Sequence, residues 1–176
     1  DKEQSGVLIQ EGILSVVRHP LYLGTILIFL GWSLFTGNVF ALVSTIWICM
    51  YCFTDYKIAR KVLEKHREGV AVEIILQDGE INKREELVKN FWEKLPSVLW
   101  WYPETDGGTM HHKFCIIDSR VVWHGSFNFT PTAATKNQEE YTSDKNVQTI
   151  NKFADEFRKI KKYLLDEQRI RKQLNR

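Results

Sequence analysis

Cysteine is scarce in this chain of 176 residues: Cys49, Cys52 and Cys115 are all it has. Three thiols give no disulfide framework. The one C-x-x-C pair, Cys49 and Cys52, lies inside the apolar run WICMYCF, with no second Cys or His pair at zinc-site spacing. All three therefore read as small buried hydrophobes in a reducing compartment. The chain also lacks internal repeats and low-complexity tracts. It has little excess charge: 24 Lys and Arg against 22 Asp and Glu leave +2, too small to argue for a polyanionic partner by itself. The cations are unevenly placed, however. From Arg158 to Arg176 eight Lys or Arg face only Asp166 and Glu167, a solvated basic helix or a polyanion-contact face.

A second absence is local. Between His19 and Asp55 there is no Asp, Glu, Lys, Arg or His. Residues 21–39, LYLGTILIFLGWSLFTGNV, are dominated by apolar side chains, and a helix needs roughly 20 such residues to span a bilayer. The weak basic flank and the continuing apolar run speak against a signal peptide. A buried core helix is the alternative to a membrane span. The cations that follow, Lys57, Arg60, Lys61, Lys65 and Arg67, place the rest of the chain on the cytoplasmic side of a membrane. Two regions result: a hydrophobic N-terminal segment, 1–42, and a catalytic domain, 43–176, with a basic C-terminal helix.

Within the second region the pattern alternates. Ile46 to Tyr51 reads as a buried strand. Thr54 or Asp55 can cap a helix from Tyr56 to Arg67 that Gly69 closes. Val70 to Leu76 is a second strand, and the turn QDGE leads to a helix over Lys83 to Leu95. Val98 to Tyr102 reads as a strand, followed by the loop PETDGGT. Phe114 to Asp118 and Val121 to Ser126 read as two more, Glu139 to Thr142 as another, and Val147 to Gln173 as a final helix. The fold class is α/β, a sheet flanked by helices.

Residues 111 to 128 read HHKFCIIDSRVVWHGSFN. His111, Lys113, Asp118, Gly125, Ser126 and Asn128 form H-x-K-x4-D-x6-G-S-x-N, a coincidence expected by chance on the order of 10⁻⁸ per starting position. Residues two apart on a strand share a face, so His111 and Lys113 point together and His112 points away. Ser126 and Asn128 are likewise two apart. An imidazole, a cation, a hydroxyl and an amide can converge on one phosphate.

The complete motif resembles that of the phospholipase D superfamily. The segment MYCFTDYKIARKVLEKHREGVAVEIILQD is similar to that family's first strand, helix and second strand. GSFNFTPTAATKNQEE is similar to its nuclease-like branch. The short spacing and single motif copy resemble small endonucleases and mitochondrial-type cardiolipin hydrolases. The resemblance covers about residues 45–165 and implies a mixed sheet flanked by helices, with a further strand and helix normally preceding Ile46.

The chemistry of the residues and the resemblance assign the same roles. His111 attacks phosphorus, Lys113 neutralises the non-bridging oxygens, and Asn128 and Ser126 hydrogen-bond them. The family's Asn-x-Glu falls on Asn137 and Glu139, making Glu139 the candidate to hold the second nitrogen of His111. Asp118 completes the candidate catalytic set in a structural or supporting role. In the family it resembles, a single-copy chain pairs with a second one, so the resemblance implies a homodimer in which His111 of the second copy is the general acid. No cofactor is implied. A metal reading of His111, His112, Cys115 and His124 lacks ligand spacing. Trp100, Trp101 and Tyr102 read as core or rim packing, as a stacking platform for bases, or as an interfacial membrane contact. The expected activity is phosphodiester hydrolysis of DNA or RNA, with a cardiolipin-like phospholipid or an inactive phosphate-binding module as alternatives.

The N-terminal SVVRHPLYLGTILIFLGW, with Arg18, His19, Pro20, Tyr22 and Gly24, resembles a fragment of the isoprenylcysteine carboxyl methyltransferase and phospholipid methyltransferase families. Those enzymes' later helices and acidic cofactor-binding motif are missing, so the resemblance implies an anchor or the trace of a fusion.

Overall fold

The computed structural model describes residues 44–102 and 108–174. The N-terminal segment 1–42, its expected span at 21–39 and most of the PETDGGT loop lie outside them. Among the described residues no helix is long and apolar enough to cross a membrane.

The chain forms strand β1 (Thr45–Met50), helix α1 (Tyr56–Arg67), β2 (Ala71–Gln77), α2 (Glu85–Asn90), a 3₁₀ turn (Trp92–Lys94), β3 (Val98–Trp101), β4 (Lys113–Ile117), β5 (Val121–Gly125), the short α3 (Pro131–Thr135), β6 (Tyr141–Asp144) and α4 (Val147–Leu174). Six strands make one mixed sheet in the order β3-β2-β1-β4-β5-β6. β1, β2 and β3 are parallel, whereas β4 lies antiparallel to β1, β5 to β4 and β6 to β5. β1 is thus central, paired on both sides, and the edges of the described sheet are β3 and β6.

Strand alternation explains the layers. Ile46, Ile48 and Met50 face one core with α1, Leu87 and Trp92, while Cys49, Phe114 and Ile116 face a second core with α4. A strand buried on both faces reads as a continuous apolar run, as β1 does. Helix α4 meets the sheet through Ile150, Ala154, Phe157, Ile160 and Leu164, spaced three or four apart, and Phe157 stacks on Trp47 at 5.2 Å. Asp55 caps α1, its Oδ1 accepting from the N–H groups of Lys57 (2.8 Å) and Ile58 (3.1 Å).

Three elements differ from the sequence reading. The expected helix over Lys83 to Leu95 begins at Glu85 and is broken at Phe91 (φ −130°, ψ −58°), where the 3₁₀ turn follows and Trp92 Nε1 donates to the Asn82 carbonyl at 3.0 Å. The last strand begins at Tyr141, not Glu139, since Glu139 and Glu140 bond Ser126 instead. Helix α3 was not foreseen; Thr130 Oγ1 accepts from Ala133 N and Pro131 opens the first turn.

Candidate active site

The parallel strands β1, β2 and β3 end on one edge of the sheet, and the antiparallel β4 begins there, since Lys113 pairs with Met50. His111 immediately precedes β4, its ring exposed, while Lys113 is buried to 8% exposure. The Lys113 ammonium lies 3.2 Å from Nδ1 and 3.2 Å from Nε2 of His111 and donates to the His111 carbonyl at 2.9 Å. Equal distances to both nitrogens place the cation on neither in-plane lone pair. It acts on the ring through space and leaves a nitrogen lone pair for an electrophile.

This arrangement sets the protonation states. Burial first, then the Lys113 and His112 charges, hold His111 below the ordinary histidine range. Burial lowers Lys113, while Glu139 and Cys52 favour its charged form. An imidazole biased toward its neutral form beside a lysine is an arrangement that can act as a nucleophile next to an anion-stabilising charge. His112 turns to the opposite face, where its ring meets Phe114 and its Nε2 lies 3.5 Å from Glu156 of α4. His124 packs on Phe153 of the same helix.

The second half of the motif arrives from β5. Gly125 has φ +156°, and a Cβ there would lie 2.1 Å from the Glu140 carbonyl oxygen, so only glycine allows β6 this close. Ser126 N donates to the Glu140 carbonyl at 2.8 Å, and Ser126 Oγ donates to Glu139 Oε2 at 2.5 Å. Asn137 Nδ2 donates to Glu139 Oε1 at 2.9 Å. Both Glu139 oxygens are thus engaged by Ser126 and Asn137, and Glu139 reaches the His111–Lys113 pair through its field on Lys113. Asn128 Oδ1 accepts from Cys52 N at 3.2 Å, which leaves its amide N–H groups for a ligand.

Asp118 stands at the far end of β4, away from His111. Its Oδ1 accepts from Thr45 N at 2.8 Å, and its own N–H donates to the Thr45 carbonyl at 2.9 Å. It also adopts φ 53°, followed by Ser119 at φ 51°, in the turn to β5. Aspartate tolerates this left-handed backbone better than most residues. The motif Asp locks β4 against β1 and so fixes the strand that carries Lys113.

Three residues outside the motif complete the site. Tyr51 follows β1; its ring lies 4.6 Å from that of His111, and Lys113 Nζ sits 5.3 Å from its centroid. Asn82, 3% exposed, donates to the carbonyls of Tyr51 (2.7 Å) and Gln77 (2.9 Å) and accepts from Phe53 N (2.8 Å). Gln77 Oε1 accepts from Met110 N at 2.8 Å, fixing the residue before His111. The motif pattern does not encode them. For Asn82 the only sequence signal was a polar residue beside a turn.

Beside this edge, Lys83 approaches the rings of Trp100 (5.4 Å) and Tyr102 (5.3 Å) and pairs with Asp78, and Arg171 lies 5.2 Å from Tyr102. Trp101 donates to the Gly108 carbonyl and packs on Tyr163. The aromatic run is therefore already in contact with protein groups. Among the described residues, no three His, Cys, Asp or Glu side chains gather closely enough to hold a metal ion.

Comparison with known proteins gives the following. The family model described as cardiolipin synthase, PLD-like domain, matches residues 42–161, and that described as phospholipid methyltransferase matches residues 1–66. The two overlap on β1 and most of α1, which here pack into the sheet. The mitochondrial cardiolipin hydrolase of Chlamydomonas reinhardtii is 34% identical over 116 residues, 66% of this chain and 51% of that protein. The human protein of that name is 28% identical over 123 residues, 64% of this chain and 44% of that one. The chain thus spans about half the length of these curated relatives. NucT from Helicobacter pylori matches with a TM-score of 0.58 and 27% identity, covering 69% of this chain and 79% of that one. Nuc from Salmonella typhimurium, a phospholipase D family member, has the same TM-score of 0.58 at 24% identity, a likeness of fold.

Proposed function

Because the chain belongs to the family of phospholipase D-like domains, we propose that it hydrolyses phosphodiesters through a phosphohistidine formed on His111. The observation that supports this most directly is the Lys113 ammonium 3.2 Å from both nitrogens of His111, where it adds to partial desolvation in lowering the imidazole pKa and faces the charge that builds on phosphorus. A ring nitrogen of His111 attacks phosphorus while the P–O bond to the leaving group breaks. Lys113 and the Asn128 amide stabilise the non-bridging oxygens, and Ser126 joins them by turning its hydroxyl proton from Glu139 to the phosphate. The departing oxygen takes a proton from a general acid. Water then attacks the phosphohistidine, returns a proton to that acid and releases His111.

The acid is His111 of a second copy in a two-fold homodimer. The chain has only one H-x-K, His112 turns to the other face, and hydrolysis by this route needs both a neutral and a protonated imidazole. Glu139 orients Ser126 and favours charged Lys113. All this charge stabilisation comes from side chains, so hydrolysis persists in excess chelator.

Nucleic acid is the first substrate class, cleaved internally. His111 is exposed where β1, β2 and β3 end and β4 begins, and the exposed cations Lys83, Arg84 and Arg171 lie on the same side, where a polymer backbone can be followed. A phospholipid of the cardiolipin type is the second reading, favoured by the 34% identity to a mitochondrial cardiolipin hydrolase. Parallel assays on single-stranded DNA, RNA and cardiolipin vesicles, each with a His111→Ala control, separate the two. Hydrolysis of none of the three by the wild type would favour a phosphate-binding module. Residues 21–39 are read as a membrane span; retention of the chain in membranes after alkaline carbonate washing supports this, and release refutes it.

A further inference from the structure

We infer that Tyr51 is a positioning residue for the His111–Lys113 pair, its ring serving as the common surface against which nucleophile and cation are set. This rests on the reading of His111 as the nucleophile. Two ring contacts carry the inference. The Tyr51 and His111 rings lie 4.6 Å apart at 59°, and Lys113 Nζ lies 5.3 Å from the Tyr51 centroid. An aromatic face attracts an ammonium electrostatically, so the same ring that flanks the imidazole also holds the cation beside it.

The backbone of Tyr51 is itself fixed. Its N–H donates to the His112 carbonyl at 2.8 Å, extending the β1–β4 pairing past its last strand residue, and its carbonyl accepts from Asn82 Nδ2 at 2.7 Å. Asn82 is buried and also holds Phe53 N. Tyr51 therefore cannot shift without disturbing the chain that carries His111. The ring also covers one side of His111, and such partial desolvation lowers the imidazole pKa from its ordinary value. Its contribution comes from the ring face, so phenylalanine can replace it while a branched aliphatic of similar bulk cannot.

The test uses the full chain with bis(p-nitrophenyl) phosphate, a diester that is neither lipid nor nucleic acid. Tyr51→Leu should lower kcat about 10- to 100-fold with little change in KM, since misplacement of reacting groups by about 1 Å costs of that order. The acid limb of its pH profile should move to higher pH as water reaches His111. Tyr51→Phe should restore kcat to within about threefold and return the acid limb to its wild-type position. A second readout does not depend on turnover. In NMR spectra, the His111 ring protons should carry an aromatic ring-current shift in wild type and Tyr51→Phe, and lose it in Tyr51→Leu. Equal damage by Phe and Leu, or an unchanged pH profile and unchanged His111 resonances in Tyr51→Leu, would overturn the proposal. Absence of hydrolysis by the wild type, with the His111 ring-current pattern intact, would count against the catalytic reading while leaving the positioning contact established.

Discussion

The Lys113 ammonium stands the same 3.2 Å from both ring nitrogens of His111, anchored by its bond to the His111 carbonyl. A lysine two residues along would ordinarily reach outward into water. Here it is folded back onto the histidine and buried, so the pair forms one unit whose charge and nucleophilicity are coupled.

That coupling fixes a pH dependence. His111 is held below the usual histidine pKa of about 6.5 by burial, then by Lys113 and His112. In the proposed mechanism the attacking His111 is the neutral form, so the acid limb of the activity should lie at the depressed pKa and activity should fall as pH drops through it. Lys113→Met removes one of the lowering charges. Its acid limb should move to higher pH, while kcat falls by about 10²–10³-fold with the lost charge stabilisation. A pH–rate profile of both proteins checks this; an acid limb that does not move contradicts it.

Gly125→Ala should destabilise the fold. The added Cβ would lie 2.1 Å from the Glu140 carbonyl oxygen and 2.6 Å from Tyr141 Cα, both backbone atoms that can only yield by opening β5 from β6. Loss of about 2–4 kcal/mol is expected, at the upper end of single substitutions. Urea denaturation measures it. The Ser126–Glu139 bond should loosen with it, so activity per folded molecule should fall as well.

The motif and the sheet strands were legible because each rests on local pattern: short apolar runs buried on both faces in β1 and β4, and fixed spacing from His111 to Asn128. The convergence of Tyr51, Asn82 and Gln77 on the site was not legible. These contacts join residues tens of positions apart, and Tyr51–His111 and Asn82–Phe53 follow no spacing rule. The break in the helix at Phe91 was hidden for a related reason. Helical propensity favoured continuing, and the buried bond from Trp92 to the Asn82 carbonyl prevails. The placement of Glu139 on Ser126, not His111, likewise depends on where β6 starts, which Gly125 decides.

Asn82→Ala should cost about 2–4 kcal/mol, because it leaves the buried Phe53 N–H and the Tyr51 and Gln77 carbonyls without their partner. Thermal melting checks the stability. By contrast, Asp118→Ala removes the tie to Thr45 at the far end of β4. It should lower stability while leaving kcat per folded molecule within a few-fold of wild type. A kcat collapse in a stably folded Asp118→Ala protein would instead show a direct catalytic role.

If the acid is supplied by a second copy, mixing wild-type chains with His111→Ala chains should produce heterodimers unable to complete a normal cycle. Activity should then fall faster than the wild-type fraction. A strictly proportional fall, together with full activity from a monomer at high dilution, would contradict the paired site and make Glu139 the first acid to test.

The most direct measurement is capture of the covalent intermediate. Labelled phosphodiester is mixed with excess enzyme, quenched in alkali within the first turnover and mapped by mass spectrometry. The label should sit on His111 in the wild type and be absent from His111→Ala. Label on Ser126 or another side chain, or complete turnover with no phosphoenzyme at any time, would contradict the mechanism.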